Sequence, residues 1–363
     1  MKLKCLFVFL TVCLMVSAVS AAPASITSYW DGSTSNWDDD DGTSNWVNES
    51  NISCDEPDGT TEVKLGAKCG FGTPRNTVGG QVTLNSEEAW GYVYSNRMRV
   101  MGNTTLNVVD NGLPFGEGGT ALLGAGWLRV GEFSETGAST VNQTGGVVRL
   151  KSGGRDPTRL TIGDSQDAGV TIFGLYKISG GTLTHHVGAT TSSEGSIIIG
   201  DRNGTGTFQV IGTAPKINMG HLYMGGMASA TARGGTGTLQ FDLIAAGVAM
   251  VNVVDSNLDT SGAISTSKLV VNLTEALTNP GNDIVLVSNS GATAVKRTFE
   301  YVNGIAGGAE WTEMHLGGNV YYLTYLFDAG TMTRGTGNDI ALIPEPATIA
   351  LLSLGLLTIR RKK

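Results

Sequence analysis

An alternating apolar strand that ends in glycine recurs along this chain and limits what it can fold into. It reads Val63-Lys-Leu-Gly66, Leu128-Arg-Val-Gly131, Leu160-Thr-Ile-Gly163, Ile197-Ile-Ile-Gly200 and Leu222-Tyr-Met-Gly225. A second phrase, a glycine turn followed by a strand, lies between the copies: Thr144-Gly-Gly-Val-Val148, Ser179-Gly-Gly-Thr-Leu183, Gly204-Thr-Gly-Thr-Phe208 and Gly235-Thr-Gly-Thr-Leu239. Glycine reaches positive φ without a Cβ clash, and each strand puts alternate side chains on opposite faces. Units this short cannot bury an apolar face alone, whereas coils stacked on one another bury it continuously. The chain is therefore predicted to be all-β, a parallel β-helix or β-solenoid. Inward columns are expected from Leu128 and Val130, Leu160 and Ile162, and Ile197 and Ile199. A β-sandwich is the competing architecture, because alternation alone does not fix strand order.

The last four copies of the first phrase start 32, 37 and 25 residues apart, so the repeat is degenerate. Composition supports many short strands joined by tight turns: 52 of 363 residues are glycine, only nine are proline, and charged residues make up 15%. Glycine thins after Leu243. Beyond it come longer strand candidates at Ser267–Leu273, Ile284–Val287 and Val320–Leu326, and a Gly-Asn-Asp-Ile phrase at 281–284 and again at 337–340. Residues 61–243 are read as the glycine-rich solenoid, and 244–343 as further coils plus a C-terminal β cap that shields the final edge.

Residues 22–60 are read as an N-terminal cap rich in tryptophan and aspartate. Asp31-Gly-Ser-Thr-Ser-Asn-Trp37 is nearly duplicated as Asp41-Gly-Thr-Ser-Asn-Trp46, with Asp38, Asp39, Asp40 and Asp41 joining the copies. Carboxylates crowded on a turn are what a hard cation such as calcium seeks, but no EF-hand spacing is present, so a solvated turn stands beside the calcium reading. The tryptophans either cover the open end of the core or stack on sugar rings.

The first 21 residues have the layout of a secretory signal peptide: Lys2 and Lys4, the apolar stretch Leu6–Val16, then small residues near Ala21. Cys54 and Cys69 would remain in an exported chain. They are a candidate disulfide worth about 3 kcal/mol by loop entropy, with two unpaired thiols as the alternative.

Chemistry is sparse. G-x-S-x-G, H-E-x-x-H, the phosphate-binding G-x-x-x-x-G-K and C-x-x-C are all missing from the sequence. Asp164 and Asp201 each follow a strand-ending glycine, with Asp167 nearby and Arg159 and Arg202 beside them. Aspartate after glycine is also ordinary turn chemistry. The predicted fold is similar to that of secreted β-helical polysaccharide lyases and glycoside hydrolases. That resemblance implies an acidic cluster of Asp164, Asp167 and Asp201 as the alternative to a chain with no catalytic residues.

The C-terminus reads Pro344-Glu345-Pro346, an apolar run Ala347–Ile359, then Arg360-Arg361-Lys362-Lys363. As a helix the run spans about 20 Å, short of the roughly 30 Å hydrocarbon core, so it is a marginal anchor. Residues 344–363 closely resemble the PEP-CTERM sorting signal of exopolysaccharide-producing bacteria with two membranes, with Pro344, Glu345, Pro346, Arg360 and Arg361 as the motif. The resemblance implies recognition by an exosortase-type processing enzyme, transient membrane insertion, and delivery to the cell surface or extracellular matrix. A plain C-terminal membrane anchor is the alternative. The repeats, for their part, resemble those of autotransporter-like passengers.

Removing both end segments takes six of 24 basic residues and one of 32 acidic ones, and moves the net charge from −8 to −13. Such a surface disfavours nucleic acid and anionic lipid as partners. The expected role is an exported structural or adhesive protein associated with extracellular polysaccharide, with no cofactor other than candidate calcium.

Overall fold

A computed structural model describes residues 27–30, 46–47, 62–65, 81–84, 92–102, 104–109, 122–132, 137–150, 158–165, 172–185, 195–225, 234–257, 266–291 and 294–345. Every regular element within them is a strand. The first group is β1 (Thr27–Trp30), β2 (Trp46–Val47), β3 (Glu62–Leu65), β4 (Gln81–Leu84), β5 (Tyr92–Val100), β6 (Thr105–Val108), β7 (Leu122–Glu132), β8 (Gly137–Gln143) and β9 (Val147–Leu150). The middle group is β10 (Arg159–Ser165), β11 (Ile172–Ile178), β12 (Thr182–His185), β13 (Ser196–Arg202), β14 (Thr205–Ile211), β15 (Lys216–Met224), β16 (Thr236–Leu243) and β17 (Val251–Asn257). The last is β18 (Thr266–Leu273), β19 (Ile284–Asn289), β20 (Phe299–Val302), β21 (Ile305–Gly308), β22 (Thr312–Leu316), β23 (Asn319–Asp328), β24 (Thr333–Arg334) and β25 (Asp339–Pro344).

These strands stack as parallel coils, which makes the chain a β-solenoid and not a sandwich. Each coil has three sides. In one coil they are β10, β11 and β12, and in the next they are β13, β14 and the start of β15. The strand-ending phrase forms the first side, where Leu128 lies beside Leu160, Leu160 beside Ile197, and Ile197 beside Leu222. The Gly-turn phrase leads into the second and third sides. β15 runs unbroken from the third side of one coil into the first side of the next, pairing with β12 through Lys216–Asn218 and with β13 through His221–Met224. The step of 25 residues is this uninterrupted passage. The steps of 32 and 37 residues contain extra chain between β9 and β10 and between β12 and β13.

Three columns of side chains fill the interior. On the second side, Leu106, Val141, Tyr176, Phe208, Leu239, Leu269 and Val302 succeed one another rung by rung, none more than 2% exposed. On the third side Val148, Leu183, Ile217, Val251 and Val287 do the same. Among the described residues, Ser139, Gln143, Ser267 and Asn289 are buried polar side chains that break the pattern, and Gln143 is the largest of them. Gln143 occupies an inward position between Val108 and Ile178, fully buried. It is satisfied on all sides: the Tyr176 hydroxyl donates to its Oε1 at 2.7 Å, and its Nε2 reaches the carbonyls of Gly145, Gly146 and Thr182 at 3.0–3.3 Å. Burial raises the Tyr176 hydroxyl pKa well above the ordinary tyrosine value.

The glycines have two different uses. Gly163, within β10, has φ +69, and the matching glycines of the neighbouring copies lie in the same left-handed region. Gly206 has no positive φ. A Cβ there would come closer than 3 Å to the carbonyl oxygen of Ile162, and one at Gly163 closer than 3 Å to that of Thr205. Gly204-Thr-Gly206 thus supplies room for backbone to meet backbone at the corner, not the positive φ expected of a turn.

At the far end β19 passes into an antiparallel sheet, β19-β25-β23-β22. Its inner residues Met314, Leu316, Tyr321, Leu323, Tyr325, Ile340 and Leu342 continue the solenoid core and cover its last rung. The two Gly-Asn-Asp-Ile phrases introduce the adjacent strands β19 and β25, yet their aspartates differ. Asp339 accepts from the backbone N–H groups of Asn289 and Ala329, whereas Asp283 pairs with Arg334. Asn303 ends the pairing of β20 with β18: its side chain accepts from Val271 N at 2.8 Å and donates to Val271 O at 3.2 Å, in place of another backbone rung. At the N-terminal end β1 lies parallel on β3, with β2 antiparallel on β1. Among the described residues no helix is long and apolar enough to cross a membrane.

Gly206→Ala should lower stability by about 2–3 kcal/mol in urea unfolding, because backbone cannot yield as a side chain would. Gly281→Ala, where an added Cβ meets nothing within 4 Å, should change it by less than about 0.5 kcal/mol. Tyr176→Phe should cost about 1–3 kcal/mol by leaving the Gln143 oxygen buried without its donor.

Candidate functional site

The residues that follow Gly131, Gly163 and Gly200 stand in one row across the first side. Its members are Glu132, Asp164 and Asp201, with Asp164 paired in register to both neighbours. Adjacent rungs are roughly 4.8 Å apart, so three carboxyl groups follow one another at that spacing along the stack. Glu132 and Asp164 are fully buried, and Asp201 is half-buried.

Cations hold this row. Arg99 Nε lies 3.1 Å from a Glu132 oxygen, and Arg129 pairs with the other. Arg202 Nε lies 3.4 Å from Asp164 Oδ1, while the Arg202 backbone N–H donates to Asp201 Oδ1 at 2.9 Å. Arg202 has φ +56, so this contact sits on a left-handed turn. Neither Asp164 oxygen accepts a hydrogen bond among the described residues. Burial, and then the charge of Asp201, raise the Asp164 pKa to about 6 against the opposing pull of Arg202, Arg129 and Arg159.

Trp127 lies next to this row. The Arg129 guanidinium sits 3.2 Å from the centre of its ring and that of Arg159 4.3 Å, and the indole N–H donates to Thr161 Oγ1 at 2.9 Å. Arg129, Thr161, Ile198 and Tyr223 succeed one another on the outward row, all buried. The first side is therefore covered on both faces. The run Ile197-Ile198-Ile199 carries that information, since a strand buried on both faces reads as continuously apolar.

Of the acidic residues singled out from the sequence, Asp164 and Asp201 come together. Glu132 joins them without having been anticipated, although it follows Gly131 as Asp164 follows Gly163. Arg159 and Arg202, noted beside these aspartates in the sequence, lie against Trp127 and Asp164 respectively. The Asp164 carboxylate is out of solvent and held by Arg202, the geometry of an internal ion network. Asp167, Cys54, Cys69, Asp38, Asp39, Asp40, Asp41, Pro346, Arg360 and Arg361 lie outside the described residues. Pro344 and Glu345 close the last strand, the Glu345 N–H donating to Val320 O at 2.9 Å. Among the described residues no three His, Cys, Asp or Glu side chains gather as a metal site.

A solvent-facing row lies on the second side. Asn107, Asn142, Lys177, Gln209 and Gln240 occupy successive rungs, each half-exposed. Thr105, Thr140, Leu175, Thr207 and Thr238 form a parallel row. Asn142 donates to Asn107 at 3.3 Å, and Asp242 accepts from Gln209, Gln240 and Asn272. The carboxamides are thereby held in line.

Because the folded state raises the Asp164 pKa, the proton is bound more tightly there than in the unfolded chain. The associated stability is complete below about pH 3.8 and is lost as pH rises through about 6. Asp164→Asn should therefore be more stable than wild type at pH 7.5. That gap should shrink by up to about 3 kcal/mol on going to pH 4, at about 1.4 kcal/mol per pH unit, as read from urea unfolding at both values.

No family model matches this chain, and no characterised protein or solved structure matches it either.

Proposed function

We infer that this chain is an exported structural or adhesive protein of the cell surface or extracellular matrix, associated with exopolysaccharide. The observation that carries this reading is the half-exposed row Asn107, Asn142, Lys177, Gln209 and Gln240, repeated at rung spacing along a parallel stack. A carboxamide both donates and accepts, as the hydroxyl groups of a polymeric sugar require. A stack whose backbone bonds run along its length is a stiff carrier for such a row. The N-terminal segment and the Pro344-Glu345-Pro346 tail supply the address, with an exosortase-type enzyme and the membrane as transient partners.

A polysaccharide-cleaving alternative draws on the adjacency of Asp164 and Asp201. It predicts release of reducing or unsaturated ends from acidic glycans that is lost in the Asp164→Ala, Asp201→Ala double variant.

Mass spectrometry of the protein from envelope and medium fractions of its host should show both termini shortened, the C-terminal cut falling near Pro344–Pro346. The protein so released should sediment with host polysaccharide. An intact chain resident in the cytosol would overturn the reading.

A further inference from the structure

A groove of about 580 Å³ opens on the outside of the third side, a size typical of small-ligand sites. Its floor carries Lys216 and Asn218 on β15 and Asn252 on β17, whose neighbours Ile217 and Val251 point into the core. One wall is the turn 245–250, with Val248 and the exposed Met250. The other is the segment 277–285, with Asn279, Asn282 and Asp283.

Both walls are set in place. Ile244 and Gly247 exchange backbone hydrogen bonds at 2.8 and 3.0 Å, Thr278 N donates to Ala245 O at 2.8 Å, and Glu275 accepts from Ala245 N at 3.1 Å. The Tyr321 hydroxyl donates to Pro280 O at 2.8 Å, which fixes the second wall to the C-terminal sheet. A site whose walls are already ordered spares its ligand much of the ordering cost.

The lining chemistry selects the ligand. Asn252 uses its amide hydrogens on Ile217 O and Asn218 Oδ1, which leaves the Asn218 hydrogens and the Asn252 oxygen for a guest. With Asn279 and Asn282 the groove offers donors and acceptors side by side, and Val248 and Met250 offer apolar contact. That combination suits a ring bearing hydroxyls on its rim and C–H groups on its faces. Charge then narrows the class. Asp283 is engaged by Arg334 at 2.5 Å, whereas exposed Lys216 forms no ion pair among the described residues. The chain's net charge of −8 repels a polyanion from afar, but at about 0.1 M salt this field is screened beyond about 10 Å and Lys216 acts locally.

We propose that this groove binds a short segment of acidic, uronate-bearing oligosaccharide, its carboxylate on Lys216 and its hydroxyls on Asn218 and Asn252. The assignment rests on the matrix reading above and adds to it a site and a sugar class. Titration calorimetry of the full chain in 0.1 M salt, with an oligogalacturonate and with an uncharged glucose oligomer of equal length, tests it. The oligogalacturonate should bind and the glucose oligomer bind at least about tenfold more weakly. Lys216→Gln should abolish that preference, and Asn218→Ala with Asn252→Ala should weaken both ligands about tenfold or more. Lys296→Gln, an exposed change outside the groove, should match wild type, and unfolding curves should show all variants folded. Equal affinity for the two oligomers, no binding of either, or groove variants that bind like wild type would overturn the site. The matrix reading would survive that result if the secreted protein still sedimented with polysaccharide, and it would fail separately if the chain stayed in the cytosol.

Discussion

The fold depends on one close approach. At the corner between the first and second sides, the backbone of one coil meets the backbone of the next with room only for hydrogen on the α-carbon. Gly163 against Thr205 and Gly206 against Ile162 are two halves of a single contact, which links the two repeating phrases physically. The strand-ending phrase cannot close its corner unless the Gly-Thr-Gly phrase of the following coil makes way. A larger residue at either place would part the coils, and with them the columns through Leu160 and Tyr176.

Given that corner, the three sides separate by environment. The second side sets a continuous apolar column inward and amides and hydroxyls outward, the ordinary half-buried pattern. The first side is buried on both faces, and charge is admitted there only as a network in which arginines meet the Glu132–Asp164–Asp201 row. Gln143 solves a similar problem inside the stack, where its amide hydrogens cover carbonyls at the turn and its oxygen accepts a hydrogen bond from the Tyr176 hydroxyl. In each case at least one partner of the polar group comes from a neighbouring coil, so register and satisfaction reinforce one another.

Much of this was legible in the sequence, because the stack is a local rule repeated. Alternation with a terminal glycine located the first side, and Ser267–Leu273, Ile284–Val287 and Val320–Leu326 all fall inside observed strands. What escaped was set by contacts between coils. Met98-Arg99-Val100 belongs to the same side as Leu128-Arg129-Val130 but is followed by Met101, with the left-handed glycine one place later at Gly102, so the phrase was not recognisable. Glu132 escaped because its role depends on Arg99 from another coil. The groove escaped because its floor and walls come from three separate stretches, none of which carries a motif.

The location of unusual titration is a poor guide to function in this architecture. Asp164 has a strongly raised pKa and charged neighbours, features shared by catalytic groups and by structural ion networks alike. Here they arise because Asp164, which follows a corner glycine, is fully buried in its coil beside Asp201. Among the described residues, the outer faces of the second and third sides are surfaces that a large ligand can reach, and half-exposed amides remain close to solvent there. A polymer meeting this protein therefore encounters Asn142, Gln209 and Asn218 before it encounters any buried carboxylate. On the proposed reading, recognition is distributed over rungs, and the groove around Asn218 and Asn252 is where walls are added to the repeating floor.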